Sequence, residues 1–198
     1  MPNLSYVCVF CGSSRGARPM YAEAARKVGG ALARVGLGLV YGGGRVGLMG
    51  IVADAVLAVG GRVVGVIPDP LATKEVAHDG LTELFVVPGM HERKALMARK
   101  SEGFLTLPGG VGTFEEFFEI LSWAVLGLHR KPIGILNVEG YFDPLLALLE
   151  HAVAEQFLRP ETLDLLAVSD DPEALAADLL GRVPPAAAGP KWIDLDET

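Results

Sequence analysis

Short runs of Val, Ile and Leu alternate along the chain with longer stretches in which apolar residues recur every three or four positions. The short runs lack the polar alternation of a half-exposed strand, so they predict strands buried on both faces, and the longer stretches predict the helices that cover them. The predicted strands are Tyr6 to Phe10, Gly38 to Tyr41, Arg62 to Ile67, Leu84 to Val87, Gly103 to Leu107, Ile133 to Leu136 and Leu165 to Val168. The first helix carries Tyr21, Ala24, Ala25, Val28, Ala31, Leu32 and Val35 on one stripe and stops at Gly36; a later one carries Phe114, Phe117, Phe118, Leu121, Val125 and Leu128. This alternation predicts an α/β architecture: a doubly wound, mainly parallel sheet with helices on both faces. No internal repeat or interior linker interrupts it, so residues 1–181 read as a single domain. Residues 182–198, RVPPAAAGPKWIDLDET, are rich in Pro and small side chains and read as a peripheral C-terminal arm.

With 198 residues the chain can bury a substantial core. Its 51% hydrophobic content and mean hydropathy of +0.38 lie on the apolar side of soluble proteins, and part of that excess is available to cover a subunit interface. No apolar run reaches the roughly 18 residues a membrane helix needs. The first residues show no basic region followed by a long apolar stretch, so a cytosolic protein with no membrane partner is expected. A net charge of -7 argues against a general nucleic-acid surface but leaves room for a local basic cluster that holds one small anion. Cys8 and Cys11 form a C-x-x-C within an apolar, β-like run instead of at a helix start, and read as buried structural thiols. His78, His91, His129 and His151 show no metal-ligand spacing, and no metal is expected.

Ligands of an open parallel sheet bind beyond the carboxyl ends of the strands, so the segments after each strand matter most. The first strand runs into Cys11-Gly12-Ser13-Ser14, whose hydroxyls and amides suit a phosphate or sugar and equally suit an ordinary turn. After the second comes Tyr41-Gly42-Gly43-Gly44-Arg45-Val46-Gly47-Leu48-Met49-Gly50. Its glycines at 42, 44 and 47 spell G-x-G-x-x-G, and Asp69 closes the next strand where a ribose-binding acid would stand. The cluster implies close backbone approach to a ligand or to a neighbouring element. The fifth is followed by Pro108-Gly109-Gly110-Val111-Gly112-Thr113-Phe114-Glu115-Glu116, a glycine turn that opens a helix and so aims N–H groups and the positive dipole end at one point, the best phosphate cradle in the chain. Thr113-x-x-Glu116 also has the spacing of a capping box. A carboxylate beside a phosphate site repels it, which makes sense if Glu116 serves the sugar end of the ligand. Met90-His91-Glu92-Arg93-Lys94, with Arg99 and Lys100, supplies basic density: Arg93 is suited to clamp an oxyanion, and a solvated helix face is the alternative.

Together these segments resemble the LOG (Lonely Guy) family of cytokinin riboside 5'-monophosphate phosphoribohydrolases, also labelled lysine decarboxylase-like. Its PGGxGTxxE signature is met by Pro108, Gly109, Gly110, Gly112, Thr113 and Glu116, its GGGxxGLMG by Gly42 to Gly44 and Gly47 to Gly50, and its MHERK landmark by Met90 to Lys94. The resemblance runs from about Tyr6 to Leu180. It implies a Rossmann-like homodimer that cleaves the N-glycosidic bond of AMP or N6-prenylated AMP, releasing the base and ribose 5-phosphate without a cofactor. Arg93 and Glu116 are the implied catalytic pair. Lys94, Gly43, Gly44 and the turn of Gly109, Gly110, Val111, Gly112 and Thr113 are expected at the nucleotide, with Gly12 and Ser13 from the first loop. Glu75, in the loop Asp69 to Leu81, is implied as a further substrate contact.

Two other functions compete. A nucleotide carrier would use the same crevice without chemistry, and an NAD-dependent dehydrogenase would use Gly42 to Gly47 with Asp69. The decarboxylase label would require a Schiff-base lysine, for which Lys94 is conceivable, but no distinct pyridoxal phosphate constellation surrounds it. Met20, Met49, Met90 and Met97 are candidates for an apolar substrate pocket or for simple core filling.

Overall fold

A computed structural model describes residues 5–72, 77–182 and 184–185 of the chain. All seven predicted strands are present: β1 Tyr6–Phe10, β2 Gly38–Tyr41, β3 Val63–Pro68, β4 Glu83–Val87, β5 Gly103–Thr106, β6 Ile133–Leu136 and β7 Leu166–Ser169. Every residue of β2, β3, β5 and β6 is buried, as expected of strands covered on both faces. Strand β4 differs because it lies at a sheet edge, where Leu84 and Val86 remain exposed.

The strand order is β4-β3-β2-β1-β5-β6-β7 and all neighbouring pairs are parallel. The helices are α1 Pro19–Arg34, α2 Gly47–Ala58, α3 Asp69–Ala72, α4 Met90–Lys100, α5 Val111–Val125, α6 Asp143–Ala154 and α7 Pro172–Gly181. Side chains alternate across the sheet. Val7, Val9, Leu39, Tyr41 and Leu105 pack with α1, α2 and α7, whereas Cys8, Phe10, Val40, Val66 and Phe104 pack with α4, α5 and α6. Cys8 and Cys11 fall in opposite cores, both free and buried, which fits the structural reading of the C-x-x-C.

Helix α1 ends as predicted, in a Schellman turn where the Gly36 N–H reaches Ala33 and the Leu37 N–H reaches Leu32. Helix α5 departs from the predicted stripe. Its buried face is Thr113, Glu116, Phe117, Ile120, Leu121 and Ala124, while Phe118 is at the edge of exposure and Leu128 lies beyond the helix, exposed. Two polar residues occupy positions that an apolar stripe skips. Among the described residues, no helix is long and apolar enough to cross a membrane. Most of the predicted arm at 182–198, including all of 186–198, lies outside the described residues.

Candidate active site

The strand order reverses at β1, so β2 and β5 flank it and their following loops converge with its own. Backbone bonds tie the three together: the Gly12 N–H donates to Pro108 O (3.0 Å) and the Leu48 N–H to Gly12 O (2.9 Å). Gly47, at φ +63°, opens α2 so close to the first loop that a Cβ there would lie 2.2 Å from the Ser13 carbonyl carbon. Only glycine permits that packing.

A crevice of about 340 Å³ opens at this junction, lined by Gly12, Ser13, Gly42, Gly44, Arg93, Glu115, Glu116 and the α5 start from Gly110 to Thr113. Met49, Ile67, Leu71 and Met90 supply its apolar lining. A larger cleft of about 880 Å³ lies between α1 and the ends of β6 and β7, with Met20, Glu23, Lys27 and Glu139 on its walls. Its lining has the single turn glycine Gly140 but no glycine-rich turn and no buried ionisable pair, so size alone does not mark the site.

Helix α5 starts two residues before the predicted cap. Its N-cap is Gly110, no side chain caps it, and Thr113 is already inside the first turn. The capping box therefore does not form. The first residues of α5, Val111, Gly112 and Thr113, line the crevice, and a helix N-terminus at this place favours an anion.

Glu116, one turn further on, points inward because it has a buried partner. Arg93 Nη1 donates to Glu116 Oε1 at 2.7 Å, and each residue is only 8% exposed. Arg93 Nε donates to the Val66 carbonyl at 3.2 Å, so α4 is anchored to β3 beside the pair. Burial pushes the Glu116 carboxyl above the ordinary glutamate range, and the charge and hydrogen bond of Arg93 pull only part of the way back. Lys94, the next residue on α4, turns to Glu115 and Glu119 of α5. Burial lowers its pKa, but the hydrogen bonds it donates to these carboxylates outweigh that and the net direction is upward.

Residues 49–179 match the family model described as "Possible lysine decarboxylase". The chain is 52% identical over 177 residues to the cytokinin riboside 5'-monophosphate phosphoribohydrolase of Rhodococcoides fascians, covering 89% of each protein. It is 44% identical over 188 residues to cytokinin riboside 5'-monophosphate phosphoribohydrolase LOG of Oryza sativa subsp. japonica, covering 95% of this chain and 78% of the other. The chain belongs to the LOG family. Among solved structures it is similar to the molybdenum cofactor binding protein of Rippkaea orientalis, with TM-score 0.69, 20% identity and coverage of 91% and 98%. The Moco carrier protein of Chlamydomonas reinhardtii gives TM-score 0.66 at 20% identity, covering 89% and 98%. At such identity the likeness speaks for the Rossmann-like fold.

Of the residues singled out by the LOG signatures, Gly44, Arg93, Gly110, Val111, Gly112, Thr113 and Glu116 line one crevice, together with Gly12 and Ser13. Gly43 stands behind it, where its carbonyl accepts the His78 N–H at 3.0 Å. Gly109 borders an adjoining pocket of about 290 Å³ and its carbonyl accepts the Tyr141 hydroxyl. Lys94 is engaged beside the crevice by its two carboxylates and does not line it. Glu75 lies outside the described residues. Asp69 begins α3 and does not line the crevice either, while Gly42 and Gly47 are explained by packing on Arg93 and Ser13, contacts that need no dinucleotide. Of the four candidate pocket methionines, Met49 and Met90 line the crevice, Met97 is core and Met20 faces the other cleft. Cys11, Gly42, Ile67, Leu71 and Glu115 also line the site and were not among the predicted contacts. Only their position at or just after strand ends, or inside the signatures, hinted at it.

Proposed function

We propose that the protein hydrolyses the N-glycosidic bond of an adenine nucleoside 5'-monophosphate, AMP or its N6-prenylated form, to free base and ribose 5-phosphate. The observation that carries this reading is the buried Arg93–Glu116 pair beside the uncapped N-terminus of α5 in one crevice. The amides of Gly110 to Thr113 hold the 5'-phosphate with the helix dipole behind them. Departure of the base builds positive charge on the ribose, and the Glu116 carboxylate stabilises that oxocarbenium-like state and orients the attacking water. Arg93 keeps the carboxylate in place and charged. The apolar residues Met49, Ile67, Leu71 and Met90 accommodate the base and its substituent.

The names of the relatives support this substrate class. The reading includes a cytosolic homodimer of one domain spanning residues 1–181, for which the exposed Phe118, Leu148 and Phe157 supply apolar contact surface. Incubation of the purified protein with AMP and with isopentenyl-AMP, followed by separation of the products, tests the reaction. Nucleotide left intact after long incubation rejects it.

A further inference from the structure

Arg93 is held on three sides. Nε donates to Val66 O and Nη1 to Glu116 Oε1, while Nη2 lies against the backbone of Gly42 at the end of β2. An ideal Cβ on Gly42 would stand 2.0 Å from Nη2 and 3.1 Å from Cζ, and its three nearest atoms all belong to Arg93. Gly42 is not among the positive-φ glycines, so alanine suits its backbone. What excludes a side chain there is the guanidinium.

We infer that Gly42 is a positioning residue for the proposed hydrolysis: by having no side chain it sets where the Arg93 guanidinium lies, and through it where the Glu116 carboxylate stands in the crevice. The inference rests on the proposed function for its kinetic consequence and on the ion pair alone for its physical one. With a Cβ 2.0 Å away, Nη2 must retreat by about 1.5 Å to reach normal contact near 3.5 Å. The backbone cannot yield as easily, because Gly42 directly follows β2, which is fully buried and paired to β1 and β3. The guanidinium is one rigid plane, so Nη1 moves with Nη2 and the 2.7 Å bond to Glu116 opens.

The test compares wild type, Gly42→Ala, Arg93→Lys and the double variant, with Gly30→Ala as control because nothing lies within 4 Å of a Cβ there. Titration of the Glu116 side-chain carboxyl by NMR in the intact protein is the first measurement, and kcat and KM on AMP the second. Gly42→Ala is expected to move the Glu116 titration to higher pH, since the lowering influence of Arg93 weakens, and to cut kcat about a hundredfold, the cost of a misplacement near 1 Å, with a smaller change in KM. Lysine has no Nη2, so the effect of Gly42→Ala on the titration disappears in the Arg93→Lys background. An unchanged Glu116 titration in Gly42→Ala overturns the inference. So does an equal shift in both backgrounds, or a Gly42→Ala protein that fails to fold, because the strand would then be taking the strain. Wild-type protein that leaves both AMP and isopentenyl-AMP intact sinks the proposed function, while the titration still decides the role of Gly42.

Discussion

Arg93 donates to Glu116 across 2.7 Å with both side chains almost wholly shielded from water. A pair buried in this way loses its balance when one charge goes. Glu116→Gln keeps the shape and one acceptor oxygen but removes the charge that would face the ribose. The expected result is a drop in kcat on AMP of about 10²–10³-fold, typical for one preorganised transition-state group, with nucleotide affinity by calorimetry little altered. Full turnover in the glutamine variant would remove Glu116 from the chemistry.

Burial holds the Glu116 carboxyl above its ordinary range against the pull of Arg93. Chemistry that needs the carboxylate is present above that raised pKa and is lost as pH falls through it. The acid limb of kcat/KM is therefore expected at higher pH than an exposed glutamate, at about 4.3, would give. A pH–rate profile on AMP checks this. A limb at or below the exposed-glutamate value would assign it to another group.

Lys94 neutralises Glu115 and Glu119, two carboxylates one turn apart on α5, and it also lowers the Glu116 pKa. Without it, Glu115 is left unpaired in the lining of the crevice proposed to receive the phosphate. Lys94→Met is expected to raise KM for AMP by roughly two- to fivefold, the size of a charge effect of about 0.3–1 kcal/mol at a helix terminus. The increase should shrink in high salt. A KM indifferent to both substitution and salt would confine Lys94 to holding α4 against α5.

Gly47→Ala meets two obstacles at once, a positive φ and the Ser13 backbone 2.2 Å from the new Cβ. Backbone cannot give way as a side chain can, so a loss of stability of about 1–3 kcal/mol is expected in denaturant titration. Unaltered stability would mean that α2 slides freely against the first loop.

Burial pushes the thiols of Cys8 and Cys11 well above the usual range. A thiol reagent at neutral pH should label the native protein far more slowly than the unfolded chain. Cys11, which lines the crevice, should react first and be protected by AMP. Fast labelling of Cys8 would contradict its place in the sheet.

The sheet was legible because each buried strand is a short run dominated by apolar residues and glycine, and β1, β2 and β6 end where the pattern ends. Strand β4 was legible as well, though its exposed Leu84 and Val86 gave no sign that it is an edge. The phase of α5 was not. An apolar stripe counts Phe114 and Phe118 and passes over the buried Thr113 and Glu116, and Glu116 is buried for a contact made 23 residues away on α4. Separation along the chain also hid the reason for Gly42: a glycine that makes room shows in sequence only as a glycine, and its occupant, Arg93, arrives from α4. The family signatures brought these residues together before their contacts could be known.

At Gly42 and Gly47 the junction has no room for added atoms, because existing groups already fill the space a side chain would take. Variation in substrate size is therefore cheapest at Leu71, Met90 and Val111, which line the same crevice yet stay open to solvent. Relatives or engineered variants that accept bulkier bases should differ at this rim and leave the glycine junction as it is.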